Sequence, residues 1–278
     1  MILNENLLHE DKISILMGIY NCADTLSEAI DSRINQTYTN WQLILCDDCS
    51  TDNTYNVAKS YQEKYPEKIV LVRNEVNSRL AFSLNHCLKY ADGEFIARMD
   101  GDDISVSNRF EVQLKFLNDH PEYDLVGCAM QRFSGDGKLA DIFYSVDNPD
   151  YYTLKNKIPY HHATIMARRK VYDELNGYTV CERTKRGQDY DLWFRFYKAG
   201  FKGTNLREPL YMVREDAAAI RRRTFKTRFN ALKTTWYGFN LLGYPKHWLI
   251  KPTIETFVKS MTPHKITEIY RKWQSKNK

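Results

Sequence analysis

The sequence predicts an α/β fold: a mainly parallel central sheet flanked by helices, followed by a C-terminal helical extension. Three observations carry this reading. Over residues 13–99, β-rich apolar runs alternate with helical patterns four times, at about 30-residue spacing, the pattern of βαβ units around a parallel sheet. Acidic residues gather directly after several of these runs, at the strand ends where open α/β sheets bind ligands. Charge splits the chain near 214–217. Residues 217–278 hold 14 Lys plus Arg against only Glu255 and Glu268, a net +12, while residues 1–216 carry −7, so the overall +5 describes neither part.

Residues 13–19 (ISILMGI) are a continuous apolar run and read as a buried strand. Asp24 stands where a helix cap would, ahead of TLSEAIDSRINQ. Residues 41–46 (WQLILC) form a second strand ending at Asp47-Asp48, and Ser50 and Asp52 open a helix over about 53–64. A third strand (68–73, KIVLVR) precedes a helix over 79–91 that Asp92-Gly93 closes. A fourth (94–99, EFIARM) runs into Asp100-Gly101-Asp102-Asp103. The second half predicts a helix over 106–119 and strands near 124–131, 139–145 and 163–167. A helix over 188–199 and a strand near 204–213 complete it. Helices over 217–238, 246–260 and 264–274 follow, punctuated by Pro245, Pro252 and Pro263.

Hydrophobic residues make up 43% and charged residues 27%, which excludes collagen-like, mucin-like and largely disordered chains. The six cysteines are dispersed and no secretory signal precedes them, so reduced thiols in a cytoplasmic protein are expected. Cys46 and Cys49 make a C-x-x-C, but no second pair follows to complete a zinc site. No stretch reaches the roughly 18 apolar residues of a membrane span.

Acids at successive strand ends are the informative chemistry. Carboxylates aimed at one crevice repel each other unless a cation joins them, and oxygen-only ligands favour Mg2+ or Mn2+ over zinc. Such a metal would grip a diphosphate. The turn GIYNCADT carries one glycine, with no G-x-G-x-x-G, and no GK[ST] follows, so dehydrogenases and P-loop enzymes are disfavoured. Gln188-Asp189-Tyr190-Asp191-Leu192-Trp193 places Asp189 in a first helical turn, where the dipole should keep it ionised and able to act as a general base. The structural alternative is a helix-start acid beside a packing tryptophan.

In their order and spacing, these residues resemble the family-2 glycosyltransferases of GT-A fold, of the bacterial capsule, O-antigen and exopolysaccharide type. The resemblance covers about residues 11–215. It rests on ISILMGIYN, INQTYTNWQLILCDDCSTDNT, GEFIARMDGDDIS with NRFEVQ, HHATIMARR and GQDYDLW. It implies a GT-A catalytic domain over 1–216, with a nucleotide-binding half (1–104) and an acceptor half (105–216), and a basic extension over 217–278. It also implies inverting transfer from a nucleotide sugar, most commonly a UDP-sugar, to a glycan or lipid-linked acceptor. Tyr20 would lie against the nucleobase beside Asn21, Asp48 would bond the base, and Asp47 would shape that pocket. Asp100 and Asp102 form the D-x-D, with Asp103 beside them. They would contact the ribose and hold the metal, the ligands being assigned here to Asp102 and Asp103. Asp189 matches the base. His162 matches a histidine on the acceptor or phosphate side, against the alternative of a strand-entry histidine satisfied by backbone. Trp193 is core or the wall of that side, and Arg98 is expected to pair with a neighbouring carboxylate.

The chain departs from the family pattern in places. Gly18 replaces Pro or Thr, which would loosen the nucleotide turn. Cys49 replaces a small Gly or Asn. Arg79 stands where Gly is common and would either reach the diphosphate or cap its helix. The extension combines RRRTFKTRFNALK (221–233) with KHWLIKPTIETFVKS (246–260). Such basic, aromatic helices suit an anionic membrane surface, giving a peripheral place on the inner face of the plasma membrane. A helical lid or a homo-oligomer surface is the alternative. Nucleic acid is disfavoured, because no recognition motif accompanies the charge. Two other functions compete: a sugar nucleotidyltransferase, which should carry a glycine-rich basic loop that GIYNCADT does not supply, and a non-catalytic nucleotide- or membrane-binding module.

Overall fold

The structure, a computed structural model, describes residues 9–135, 137–214 and 224–261. The helix expected over 264–274 and the start of that over 217–238 lie outside the described residues. Nine strands among them form one sheet: β1 (His9–Ile19), β2 (Trp41–Asp47), β3 (Ile69–Arg73), β4 (Gly93–Arg98), β5 (Ile104–Ser105), β6 (Leu125–Phe133), β7 (Leu139–Phe143), β8 (Met166–Arg168) and β9 (Gly203–Arg214). The order is β3-β2-β1-β4-β8-β6-β9-β5, with β7 on β6. Strands β1 to β4 pair in parallel. Beyond β4 the sheet is mixed: β8 runs antiparallel to β4 and β6, β9 parallel to β6, and β5 antiparallel to β9.

The chain moves outward from β1 to β3, then crosses back to place β4 on the other side of β1. The crevice beyond the carboxyl ends of β1 and β4 is therefore a topological switch point, where such sheets bind ligands. Tyr20, Asp48 and Asp100 all lie there.

The eight helices are α1 (Ala23–Ile34), α2 (Thr54–Lys64), α3 (Arg79–Leu88), α4 (Arg109–Asp119), α5 (Arg169–Glu174), α6 (Gln188–Lys198), α7 (Phe225–Leu241) and α8 (Ile250–Met261) among the described residues. Successive strand side chains point to opposite faces. Ile13, Ile15, Met17 and Ile19 meet Leu26, Ala29 and Ile30 of α1 and Phe110 and Leu114 of α4, while Leu16 meets Ala81, Leu84 and Cys87 of α3. Both faces of β1 are covered, so its apolar run does not alternate. Each such fully buried side chain contributes roughly 1.5–3 kcal/mol.

Gly18 corrects an expectation. It lies inside β1, paired with Cys46, and a Cβ there would stand 2.9 Å from Leu80 Cδ1. Its role is to let α3 approach the sheet, not to loosen the turn beyond. Asp24 is not a cap either: α1 starts at Ala23, and Asp24 lies in its first turn. The stretch read as a strand from 163 opens with a 3-10 turn, His162–Thr164, before β8.

The described extension shares the body's core. Phe239, Tyr244 and Leu249 belong to the same buried cluster as Trp193, Phe194 and Phe196. A Cβ on Gly238 would fall 2.1 Å from Phe194 Cδ2, so only glycine lets α7 lie this close to α6. Asn230 Nδ2 donates to the Glu182 carbonyl (2.9 Å) and Thr234 Oγ1 to that of Arg183 (3.1 Å). The sequence changes its charge near residue 216, but the described residues of the extension pack into the same core as the body.

Candidate active site

The crevice is framed by strand-end turns braced against each other. Asn21, at φ 47°, donates its backbone N–H to Ser50 Oγ (3.0 Å), and its Oδ1 accepts from Thr51 N (2.9 Å). It ties the β1 turn to the β2 turn, leaving Tyr20 46% exposed beside it, a free aromatic face at the switch point. Asp47 is fully buried, paired with Arg73 Nε at 2.9 Å. Asp48 accepts from Asn74 Nδ2 (2.8 Å) and from the backbone N–H of Ser78 (2.7 Å) and Arg79 (2.8 Å). It caps α3, so a nucleobase would add a further donor to a carboxylate that already accepts three.

Arg79 does not cap the helix with its own side chain. Its backbone N–H donates to Asp48 Oδ2, and the residue is exposed at the rim. It also holds φ 73°, and Cys49 holds φ 61°. Both occupy positions where the family pattern has Gly or Asn, and left-handed backbone explains that preference. Arg79→Gly is expected to raise stability by about 1 kcal/mol while weakening donor binding several-fold, read as the melting midpoint and the donor KM. Arg79→Lys keeps both properties.

The aspartate cluster has a graded environment. Arg98 is 3% exposed and grips Asp100 through both guanidinium nitrogens, one of them at 2.6 Å. Burial works against the Arg98 charge, but Asp100 holds it above its ordinary value. Asp103 is buried, with Oδ2 accepting from Tyr211 OH (2.8 Å) and Oδ1 from Arg214 N (2.9 Å). Asp102 is exposed. Carboxylate oxygens of the three lie within 4.8 Å of one another. The all-oxygen donor set fits Mg2+ or Mn2+, with Asp102 the outward carboxylate. A ligand role for Asp103 would compete with Tyr211 and Arg214. These two β9 residues were not singled out in the sequence, because nothing local marks a tyrosine and an arginine more than 100 residues away.

Burial, then the charges of Asp100 and Asp102, push the Asp103 carboxyl up to about 7. A carboxyl raised above its unfolded value favours the folded state at low pH, and that contribution is lost as pH rises from about 4 to about 7. A cation offsets the repulsion. The increase in melting midpoint on adding Mn2+ should therefore be larger at about pH 8 than at about pH 6. Equal increments at both would contradict this.

Asp189 lies in the first turn of α6, after Gly187 in left-handed conformation at φ 85°. Burial raises its carboxyl above the ordinary aspartate value and outweighs the N–H groups of the helix start, which lower it; the charge of Arg98 lowers it and that of Asp100 raises it. The dipole expected to keep it ionised is opposed by burial, which raises the carboxyl. The charges of Arg98 and Asp100 both act on Asp189.

Two further expectations are corrected. Trp193 is fully buried between Tyr160 and His162, so it is core and no pocket wall. His162 is 9% exposed, with Nε2 on Tyr178 OH at 2.8 Å, and burial lowers its pKa. Its ring packs edge-on against Tyr178 and Trp193. Its neighbour His161 is the one that lines a cavity, of about 560 Å³. Cys46 is buried inside β2 with its thiol on Asn74 Oδ1 and 3.7 Å from His86 Nδ1, while the one group of three or more metal-ligating side chains found among the described residues is Asp100, Asp102 and Asp103.

The family model described as Glycosyl transferase family 2 matches residues 14–229. EpsE of Bacillus subtilis (strain 168) is 45% identical over 251 residues, 89% of this chain and 90% of EpsE. The UDP-Glc:alpha-D-GlcNAc-diphosphoundecaprenol beta-1,3-glucosyltransferase WfgD of Escherichia coli is 41% identical over 105 residues, 38% of this chain and 40% of WfgD. The crystal structure of S. aureus TarS 1-349 in complex with UDP superposes with a TM-score of 0.65 at 20% identity. It covers 82% of this chain, and the chain spans 65% of that structure. This likeness shows the fold.

Proposed function

The chain belongs to glycosyl transferase family 2 and is a glycosyltransferase, and from that premise we propose an inverting, metal-dependent transfer in the synthesis of a surface polysaccharide. The donor is a UDP-sugar and the acceptor a hydroxyl of a glycan or lipid-linked glycan. The observation that carries the reading is the cluster of Asp100, Asp102 and Asp103 just beyond the carboxyl end of β4, whose carboxylate oxygens lie within 4.8 Å of one another at the switch point. The UDP in the TarS complex and the diphosphoundecaprenol in the name of WfgD support donor and acceptor classes.

Tyr20 offers a stacking face to the nucleobase, and Asp48 and Asn74 line its edge. Asp100, fixed by Arg98, meets the ribose side. Asp102 would hold the metal, with Asp103 behind it, and a bound Mn2+ or Mg2+ would supply positive charge to the diphosphate leaving group. Asp189 accepts the proton of the acceptor hydroxyl as its oxygen bonds to the anomeric carbon. The bond from that carbon to the β-phosphate oxygen breaks on the opposite face, and UDP departs with the electron pair. Attack by the acceptor oxygen from the face opposite the departing UDP inverts the configuration. Alignment and the fixed charges supply most of the rate.

A panel of nucleotide sugars with Mn2+ tests this. One UDP-sugar should raise the melting midpoint only with metal and release UDP on adding acceptor. Binding without release from any donor would favour a non-catalytic module.

Peripheral attachment to an anionic membrane belongs to the same reading. Ile250, Ile254, Phe257, Val258 and Met261 repeat along one face of α8 at 47–83% exposure, within a stretch of sequence, 217–278, of net charge +12. No helix among the described residues is long and apolar enough to cross a membrane, but such a face can lie in the headgroup region. Co-sedimentation with phosphatidylglycerol vesicles should be lost in Ile254→Ser/Phe257→Ser. Retention there would exclude this face.

A further inference from the structure

The acidic loop after β4 is clasped from β9. The two residues after Asp103 pair with that strand, Ile104 opposite Met212 and Ser105 opposite Tyr211, and Val106 N donates to the Leu210 carbonyl (3.0 Å). This register sets Tyr211 against the loop. Its side chain is fully buried, with the Arg109 guanidinium 5.1 Å from its ring centre. Its hydroxyl donates to Asp103 Oδ2 (2.8 Å) and accepts from the Asp100 backbone N–H (3.2 Å). One oxygen, through its single proton and a lone pair, thus spans the loop from its first aspartate to its last. Arg214 adds a second arm. Its backbone N–H donates to Asp103 Oδ1 (2.9 Å) and its Nε to the Asp102 carbonyl (3.0 Å). The same guanidinium is anchored by Glu28 of α1 and lies 4.5 Å from the Phe133 ring centre.

The clasp holds together what charge would separate. Carboxylates whose oxygens lie within 4.8 Å of one another repel until a cation joins them. Arg98 steadies Asp100 with a full charge, whereas Tyr211 and the Arg214 backbone hold Asp103 with neutral donors. We propose that Tyr211 is a positioning residue for the divalent cation: its hydroxyl fixes Asp103 relative to Asp100, and so keeps the exposed Asp102 between them in a geometry ready to bind metal. A site assembled before the cation arrives loses less of its binding free energy to ordering. Asp103 then belongs to the clasp, because both its oxygens already accept hydrogen bonds. Without the hydroxyl, Asp103 Oδ2 and the Asp100 N–H each lose a partner, and repulsion can carry Asp103 away from its neighbours. Tyr211 has this role only if the metal-dependent reading holds.

The test is equilibrium dialysis of UDP against the full chain over a series of Mn2+ concentrations, read as the Mn2+ needed for half of the metal-dependent binding. Tyr211→Phe keeps the buried ring and removes only the hydroxyl. It should need about tenfold more Mn2+ than the parent, the scale of one hydrogen bond to a charged group. Saturating Mn2+ should return both UDP binding and the transfer rate to within about twofold of the parent, which a general loss of structure would not allow. Phe239→Leu, a change in the buried core beside α6, should lower the melting midpoint yet need no more Mn2+ than the parent. An unchanged Mn2+ requirement in Tyr211→Phe, a deficit that saturating Mn2+ leaves in place, or an equal rise in Phe239→Leu would each overturn the proposal. A parent that binds UDP equally with and without metal would sink the metal-dependent reading, and the role of Tyr211 with it. A parent that responds to Mn2+ beside a Tyr211→Phe variant that responds identically sinks the clasp alone.

Discussion

Asp189→Asn is expected to lower the rate of transfer by roughly 10²–10⁴, the range for losing a positioned general base, with donor affinity almost unchanged. The amide has the size of the carboxylate and can keep a hydrogen bond to the start of α6, but it cannot take a proton. Its effect on stability should be opposite in kind. The Asp189 carboxyl is raised by burial, so ionising it at neutral pH costs folding energy. A group raised in this way stabilises the fold at low pH and loses that contribution as pH rises through its folded value. The asparagine variant should therefore melt no lower than the parent at neutral pH, while turning over far more slowly. The parent's kcat/KM should rise with pH along a limb above the ordinary aspartate range, and the variant's residual rate should lack that limb. Full transfer activity in the variant would remove Asp189 from the mechanism.

How far the sequence revealed this site depends on the range of the forces involved. The strands β1 to β4 were legible because burial on both faces of a parallel sheet imposes continuous apolar runs, and their ends located Asp47, Asp48 and Asp100. Left-handed backbone at Arg79 and Cys49 could be suspected only because other residues usually stand there; nothing in the two side chains betrays it. Long-range partners were not legible. Tyr211 and Arg214 reach Asp103 from β9, and sequence distance hides them. Two adjacent histidines cannot be told apart by pattern, and burial alone assigns His162 to packing and His161 to a cavity wall. The extension misled in a further way. Its charge suggested a separate unit, but Phe239, Tyr244 and Leu249 are buried in the core beside α6, and its described helices wall a cavity that reaches Asp189.

The second acid of the same motif shows why its two aspartates must be separated. Asp191 is fully buried, held by Arg183 and by Arg195 Nε at 2.9 Å. Arg195 also donates to the carbonyls of Leu175 (2.7 Å) and Gly177 (2.9 Å), and the Arg183 carbonyl receives Thr234 of α7. One carboxylate thus ties α6 to the segment before it and, through Arg183, to the extension. Asp191→Ala would leave two guanidinium groups facing a cavity, their side chains only 18% and 15% exposed. Removing one partner of a buried ion pair costs about 3–5 kcal/mol, and the remaining exposure of the arginines sets the expectation at about 3 kcal/mol. At this chain length that lowers the melting midpoint by roughly 6–12 °C. Activity should fall in proportion to the folded fraction and recover on cooling, whereas the deficit of Asp189→Asn persists at every temperature. Melting curves and transfer rates measured on both variants separate the two roles. An Asp191→Ala protein of unchanged stability would show that the arginines find solvent or new partners at little cost, and that α6 is held to its neighbours by packing around Trp193 and Phe194 alone.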